Sequence, residues 1–479
     1  MSLATQPPQR ASSSFACSSS SARLCLRPAA PCGLQKRGLA RCVVRCDAES
    51  SKESGKFDPR AFRRSLNSSG KYTRRVADDE GALKQMNDEG MAPGELIAQM
   101  REEGFMHKRG DVTIKLAKSY GFCWGVERAV QMAYEARKRH PEEKLWITNE
   151  IIHNPTVNKR LKEMEIEFIE DTDGTGKDFT GVEDGDVVIL PAFGAAVEEM
   201  KLLNDKGATI VDTTCPWVSK VWNAVDMHTR KDYTSVIHGK WAHEETVATA
   251  SFASTYLIVK DLKEADYVRE YILADDEKRA SMRPEFMEKF KNAMSKGFDP
   301  DKDLVAVGIA NQTTMLKGDT KALGQLVQNT MIEKYGPENV NDHFMVLDTI
   351  CDATQERQDA MFELVGQDTE EEKRSHLPKD VDMIIVVGGY NSSNTQHLQE
   401  ISEHNNIPSF WVDTKDRIDL ANNKLDHLMS WGELQTTENW LPEGPVRIGV
   451  TSGASTPDKV VEDVLDVVFA IKEAQMQAA

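Results

Sequence analysis

From Asp111 onward the chain repeats one pattern: a short β-rich apolar run, a turn signal and then a helical pattern. Examples are DVVILPAFGAAVEEMKLLND, HFMVLDTICDATQERQDAMFELV and DMIIVVGGYNSSNTQHLQEIS. Strands that alternate with helices build parallel sheets that are covered by helices on both faces. The pattern therefore predicts an α/β fold made of small parallel-sheet domains.

The first 46 residues differ in composition from the rest. They contain seven basic residues, no Asp or Glu, and serine-rich runs such as SSSFACSSSSAR. This composition is typical of a transit peptide, and we predict import into an organelle. A disordered leader without a targeting role is the alternative interpretation.

The remaining chain divides by composition. Residues 47–110 are polar and charged, so we interpret them as a weakly structured N-terminal arm with one or two short helices. The strand and helix pattern then predicts α/β lobes at 111–205, 206–340 and 341–440, a charged helical insertion at about 263–303 in the second lobe, and a strand–helix segment at 441–479 that completes the site.

Net charge and hydropathy exclude two classes of function. The formal charge is −18, and removing the seven positive charges of the leader leaves −25. A chain this acidic lacks the basic footprint of a nucleic-acid-binding protein. It also contains no run near the roughly 18 consecutive apolar residues that a membrane helix requires.

The cysteines are distributed unevenly. Five lie in the leader (Cys17, Cys25, Cys32, Cys42 and Cys46), and three lie in the body (Cys123, Cys215 and Cys351). Three cysteines in so long a segment do not form a disulfide framework. The segments VDTTCPWV and LDTICDAT resemble each other, and Cys123 follows a predicted strand and the turn signal YGF. All three are therefore expected at the carboxyl ends of parallel strands, where such sheets bind ligands.

The spacing of these cysteines indicates a site assembled by the fold. Separations of 92 and 136 residues (215 minus 123, and 351 minus 215) exclude a local chelate, but three similar units around an axis could bring the thiols together. Four-iron clusters usually have one cysteine per iron, so three cysteines would leave one iron open to substrate. A zinc site completed by a histidine stays open at this point.

Other polar residues follow strands or precede helices at similar places. Each of them alone is more often a helix cap or a satisfied core group. Together, helix N-termini and histidines suit a phosphorylated ligand. No GxxxxGK[ST] signature is present, which argues against a P-loop nucleotide site. The candidates are His153, His243, Glu245, Thr313, Thr314, Ser392, Ser393, Asn394 and Ser455.

The motifs GFCWGVERAV, IIHNPTVNKRL, DTTCPWV, AHEET, NQTTM, DTICDATQERQ, NSSNT and TSGASTP occur in one order between about 111 and 468. This set resembles the 4-hydroxy-3-methylbut-2-enyl diphosphate reductase family in its plant and cyanobacterial form. The resemblance implies a three-lobed fold with pseudo-threefold symmetry around a central 4Fe-4S cluster. It implies two-electron reductive dehydroxylation of the allylic diphosphate to isopentenyl and dimethylallyl diphosphates, the last step of the plastid methylerythritol phosphate route.

The resemblance also implies roles for individual residues. Cys123, Cys215 and Cys351 would hold the cluster, and Glu245 with Thr314 or its neighbour Thr313 would deliver the proton. The diphosphate would be bound by His153, His243, Ser392, Asn394 and Ser455, with Ser393 beside them.

One position departs from many bacterial members, which carry a histidine in the motif S-A-H-G. This chain reads PAFGA, so Phe193 stands where that histidine donates a hydrogen bond. We therefore leave Phe193 out of the binding set.

The electrons must come from another protein, because no flavin or nicotinamide signature is visible in the sequence. Compartment and family imply ferredoxin as the donor, and a homodimer is left open. Two other classes remain: a redox-neutral hydro-lyase that uses the open iron as a Lewis acid, and a non-catalytic iron–sulfur sensor. Only the reductase requires an electron donor for turnover.

Overall fold

The computed structural model describes residues 58–77, 79–92, 94–169, 176–366 and 380–478. These residues belong to one compact unit, Cys42–Ala479. The transit peptide predicted at 1–46 lies outside the described residues. Among the described residues, no helix is both long enough and apolar enough to cross a membrane.

The strands are numbered in chain order. They are β1 (Tyr72–Thr73), β2 (Met106–Arg109), β3 (Val112–Leu116), β4 (Leu145–Ile147), β5 (Ile166–Phe168), β6 (Val187–Leu190), β7 (Thr209–Asp212), β8 (Thr234–His238), β9 (Tyr256–Val259), β10 (Val307–Asn311), β11 (Phe344–Val346), β12 (Met383–Val387), β13 (Ser409–Val412), β14 (Ile418–Asp419), β15 (Lys424–Leu428), β16 (Leu434–Glu438) and β17 (Val446–Ser452).

The helices are numbered in the same way. They are α1 (Pro59–Ser68), α2 (Glu80–Met86), α3 (Glu95–Glu102), α4 (Trp124–Arg139), α5 (Pro155–Glu163), α6 (Val197–Asp205), α7 (Pro216–Arg230), α8 (Glu244–Ala250), α9 (Leu262–Leu273), α10 (Asp276–Lys289), α11 (Pro300–Asp303), α12 (Lys317–Tyr335), α13 (Val340–His343), α14 (Asp352–Leu364), α15 (Ser393–His404) and α16 (Asp458–Ala478).

The strands of the described segments form three sheets. The first sheet has the order β1-β7-β6-β4-β5, and the second has the order β11-β10-β8-β9. All pairs in both are parallel. The third sheet has the order β14-β15-β13-β12-β17-β3-β2, with a parallel centre and antiparallel edges. The predicted α/β class with parallel sheets is confirmed.

Several strands are buried along their whole length, as is typical of strands inside parallel sheets. Every residue of β6, β8, β10 and β12 is buried. One core joins the first two sheets through residues such as Leu190, Val236 and Val307. A separate core lies between the third sheet and helices α3 and α16.

Three strands pair in a different sheet from the one expected from the lobe boundaries in the sequence. β3, expected in the first lobe, pairs with β17 in the third sheet. β7 pairs with β6 in the first sheet, and β11 pairs with β10 in the second. The physical reason is that a parallel strand pairs across a long crossover connection, so its neighbours in the sheet need not be its neighbours in the chain.

The arm before Asp111 is the main difference from the sequence interpretation. Its described part is structured: β1 pairs with β7, and β2 pairs with β3. Met86 packs against α4, while Ile97 and Met100 enter the core of the third sheet. The few apolar side chains of the arm recur at the spacing of one helix face, and that face is buried. The arm therefore packs against the rest of the protein although most of its residues are polar.

Candidate functional site

Each sheet contributes one cysteine. Cys123 follows β3 of the third sheet, Cys215 follows β7 of the first, and Cys351 follows β11 of the second. Each cysteine is the N-cap residue of the next helix, and none uses its sulfur as a cap. The three equivalent positions give the site its approximate threefold character.

Two cavities adjoin these thiols, and all three cysteines line both of them. The outer cavity has a volume of about 540 Å³ and is also lined by Arg101, Lys118, Trp124 and Arg357. The inner cavity is smaller, at about 110 Å³. The thiols therefore lie between a small cavity and a larger one, since they line both.

The surroundings of the thiols suit a metal group better than a reactive thiolate. Burial raises the pKa of Cys215 to about 12 and that of Cys351 to about 11, so these thiols stay protonated until a metal takes the sulfur. A Cβ added to Gly125 would lie 2.5 Å from the Sγ of Cys215. Only glycine allows this approach of the sulfur to the start of α4. The three free sulfurs are therefore candidate metal ligands.

Two arginines on the cysteine-bearing helices hold neighbouring cysteine loops. Arg357 in α14 donates to the carbonyl oxygen of Gly121 at 2.6 Å, just before Cys123. Arg128 in α4 donates to the carbonyl oxygen of Thr213 at 3.2 Å, just before Cys215. Neither arginine was predicted from the sequence, although each follows a cysteine by five or six residues.

The inner cavity brings together the other nine predicted site residues. They are His153, His243, Glu245, Thr313, Thr314, Ser392, Ser393, Asn394 and Ser455. Phe193, which was left out of the predicted set, lines the same cavity. Distant parts of the chain thus meet beside the cysteines.

Glu245 is the buried acid of this cavity. Thr313 donates to it twice, from its backbone N–H at 2.6 Å and from Oγ1 at 3.0 Å. Burial raises the pKa of Glu245 to about 7, although these hydrogen bonds oppose the shift. Thr314 instead accepts a hydrogen bond from Gln312 Nε2 at 2.8 Å. Of the two threonines, Thr313 is the one in contact with the acid.

His243 caps helix α8. Its Nδ1 accepts the backbone N–H of Glu245 at 3.2 Å, so in the neutral ring the proton is on Nε2. Burial lowers the pKa of His243 well below its usual value, which keeps the ring neutral. His243 can therefore donate one hydrogen bond, from Nε2, to a ligand.

The histidines lie close to each other and to an acid. One ligand-type atom from each of His153, His243 and Glu244 lies within 4.8 Å of the other two. The ring of His153 also stacks on Phe193, with centroids 4.8 Å apart and an interplanar angle of 13°.

Polar residues of α15 and of the turn before α16 also line the inner cavity. Ser392 caps α15, and the Asn394 side-chain oxygen accepts the N–H of Ala454 at 3.0 Å. Ser393 Oγ and Asn394 Nδ2 are buried without a hydrogen-bond partner among the described residues. Buried polar atoms are normally paired, so these two atoms indicate a polar ligand.

Fold and site together define a class: α/β enzymes in which three cysteines from separate sheets adjoin a polar pocket. The chain belongs to the LytB protein family, whose model matches residues 114–469.

Similar proteins cover most of the chain. A 4-hydroxy-3-methylbut-2-enyl diphosphate reductase from Picosynechococcus sp. is 58% identical over 417 residues, which are 87% of this chain and 98% of that protein. The chloroplastic reductase of Botryococcus braunii is 56% identical over 434 residues, covering 90% of this chain and 84% of that protein.

A solved structure is similar in fold. It is the E-1-hydroxy-2-methyl-but-2-enyl-4-diphosphate reductase of Plasmodium falciparum, with a TM-score of 0.53 at 23% identity. The match covers 75% of this chain and 88% of that one. At this identity the likeness concerns the fold alone.

Proposed function

We propose that this chain reduces 4-hydroxy-3-methylbut-2-enyl diphosphate to isopentenyl and dimethylallyl diphosphates, the last step of the plastid methylerythritol phosphate route. The observation that carries the proposal is the inner cavity, where a buried acid and unpaired polar groups adjoin three convergent cysteines. The enzyme names of the two relatives support the substrate and the reaction.

The cofactor in this proposal is one 4Fe-4S cluster with Cys123, Cys215 and Cys351 as its ligands. Three free sulfurs at equivalent strand ends fit such a group, and the glycine at 125 leaves room for the sulfur of Cys215 beside α4. When bound, the cluster supplies electrons and an open iron that acts as a Lewis acid on the substrate hydroxyl. Cys351→Ser is expected to lower iron and sulfide content.

The residues of the chain bind the substrate and supply a proton. His243 donates from Nε2, and Ser393 and Asn394 offer unpaired donors, to the diphosphate oxygens. Glu245, protonated below about pH 7, gives its proton toward the leaving hydroxyl as a general acid. The Thr313 hydroxyl can relay that proton, because it both accepts and donates.

The overall reaction balances with two electrons and two protons. The carbon–oxygen bond breaks and the hydroxyl leaves as water with one proton, while the allylic carbons take the electron pair and the second proton. Protonation at either end of the allylic system yields the two product isomers.

We further propose that a reduced ferredoxin delivers the electrons at the outer cavity. Trp124, which follows Cys123 and is 60% exposed, lines this cavity together with the three cysteines. The leader and the chloroplastic relative support a plastid location, which a fluorescent fusion of residues 1–57 would test. A homodimer stays open, and sedimentation of the mature protein tests it.

The test is anaerobic turnover by the cluster-reconstituted protein. Chemically reduced methyl viologen is supplied with and without 4-hydroxy-3-methylbut-2-enyl diphosphate, and the products are identified by chromatography. The proposal expects dye oxidation that depends on substrate and yields both isomers. Oxidation that fails despite an intact cluster would contradict the reductase and favour the hydro-lyase or the sensor.

A further inference from the structure

The two ring nitrogens of His153 have different surroundings. Nδ1 lies 2.8 Å from Oε2 of Glu150. Nε2 is buried and has no hydrogen-bond partner among the described residues. A carboxylate can only accept, so Nδ1 carries a proton and donates it to Glu150. Nε2 is left for a ligand of the inner cavity, which His153 lines.

An anionic ligand requires a proton on this second nitrogen as well. A neutral ring protonated at Nδ1 presents only a lone pair at Nε2, which repels a phosphate oxygen. A cationic ring donates from both nitrogens, and the carboxylate of Glu150 is its counter-ion. The stacked Phe193 ring, 4.8 Å away, covers one face of the imidazole and restricts its rotation.

Glu150 is held in place by an unusual turn. The residue before it, Asn149, has a φ of 129°, in the region that favours glycine. The side chain of Asn149 stabilises this conformation, since its oxygen accepts the Glu150 N–H at 2.8 Å. Its Nδ2 donates to Oε1 of Glu244, also at 2.8 Å. Backbone strain of this kind persists where the surrounding contacts enforce it, often at functional sites.

We propose that Glu150 is a positioning residue for substrate binding, which accepts the Nδ1 proton of His153 and orients the ring, so that Nε2 faces the diphosphate and Glu150 is the counter-ion in that complex. The inference rests on the proposed function, because the diphosphate is taken as the ligand of His153. Glu150 itself does not line the inner cavity, so it would act through His153.

Glu244→Gln provides a matched control, because the glutamine keeps a side-chain oxygen that can accept from Asn149 Nδ2. Oε2 of Glu244 lies 3.7 Å from His153 Nε2, too far for a hydrogen bond. Glu150→Gln and Glu244→Gln each remove one negative charge beside the same ring. If charge alone mattered, both variants would bind an anion more tightly, because less negative charge would repel it. If Glu150 positions His153, Glu150→Gln should instead bind the anion more weakly, whereas Glu244→Gln should not.

The experiment uses the reconstituted holoenzyme and inorganic pyrophosphate as a probe. We expect Glu150→Gln to raise the KM for substrate and the calorimetric Kd for pyrophosphate roughly tenfold to a hundredfold, as for a lost charge-assisted hydrogen bond. Iron content and kcat at saturation should stay close to those of the parent protein. Glu244→Gln should bind pyrophosphate at least as tightly as the parent.

Two results would overturn the inference. One is a Glu150→Gln variant with unchanged or tighter pyrophosphate binding. The other is a parallel loss of iron, kcat and affinity, which would make Glu150 a structural residue. Failure of the proposed function is separable, since a parent protein that binds pyrophosphate without reducing the substrate still allows the comparison of the two variants.

Discussion

At the scale of a single residue, two effects shift the pKa of Glu245 in opposite directions. It is buried at 2% exposure, which favours the neutral acid, yet two hydrogen bonds from Thr313 favour the carboxylate. Burial prevails and raises the pKa to about 7. A carboxyl group with this pKa exchanges its proton near neutral pH, as a general acid should.

The pH dependence of turnover follows from this pKa. Glu245 carries its proton below about pH 7, so kcat should fall as the pH rises through that value. Glu245→Gln should lower kcat by roughly a hundredfold to ten-thousandfold and remove this limb of the profile. Dye oxidation between pH 6 and pH 9 at saturating substrate measures both effects. Near-normal turnover of the variant would remove Glu245 from the mechanism.

The same group links stability to pH. Its folded pKa lies above that of an exposed glutamate, so the native state holds the proton more strongly. The associated stability is complete below the unfolded pKa of about 4.3 and is lost as pH rises through about 7. Glu245→Gln should therefore be less sensitive to pH in thermal unfolding over this range.

The neighbouring threonines differ in their contacts, which separates their expected roles. Thr313→Val should lower kcat about tenfold or more, because it removes a side-chain hydrogen bond to the acid and the relay hydroxyl. Thr314→Val should cost less, since its hydroxyl contacts Gln312. Single-turnover rates of the two isosteric variants make the comparison. A larger loss for Thr314→Val would reverse the assignment.

At the scale of elements, the arm before Asp111 supports a cysteine loop. Arg74 lies after β1, and its Nε is 3.1 Å from Oδ2 of the buried Asp212 at the end of β7. It also donates to the carbonyl oxygen of Thr214 at 3.2 Å and to Ser219 Oγ at 2.7 Å. The hydroxyl of Tyr72 contacts the same Asp212 carboxylate. The arm thus holds both sides of Cys215.

Arg74→Met tests this support. The substitution leaves a buried carboxylate without its ion-pair partner, so the free energy of unfolding should fall by about 3 kcal/mol. Iron content should fall with it, because the Cys215 loop loses its anchor. The control is Arg75→Met, an identical change at the adjacent exposed residue, which should stay within about 0.5 kcal/mol. Equal losses for both variants would contradict a specific role of Arg74.

At the scale of the molecule, one shared group would connect three sheets. Since each sheet supplies one cysteine, a metal centre bound to all three binds only the folded arrangement. Ligands that bind only the native state stabilise it by mass action. The proposed cluster therefore acts on the whole fold as well as on the reaction.

Removal of iron should consequently lower the thermal stability of the whole chain. Anaerobic chelation is expected to reduce Tm by roughly 10 °C, with one cooperative transition in calorimetry. Cys351→Ser should start from the lower Tm and change little on chelation. An identical Tm with and without iron would show that the cysteines do not join the sheets through a metal.

The sequence determined the class of fold and the residue types of the site, because both depend on local patterns. Apolar runs followed by helical patterns predicted parallel sheets, and the motifs around Cys123, Cys215 and Cys351 located the cysteines at strand ends. The nine polar candidates were likewise readable, since serines, asparagine and histidines precede helices in recognisable segments.

Only the tertiary structure decided which elements share a sheet and which side chains meet. The pairing of β3 with β17, separated by more than three hundred residues, depends on crossover connections that local patterns do not record. Thr313, rather than Thr314, reaches Glu245 because the turn after β10 points one hydroxyl toward α8. Arg74 contacts Ser219, which is distant in the chain, and Glu150 contacts His153 without a recognisable motif. Their roles arise from packing geometry, which composition and spacing do not contain.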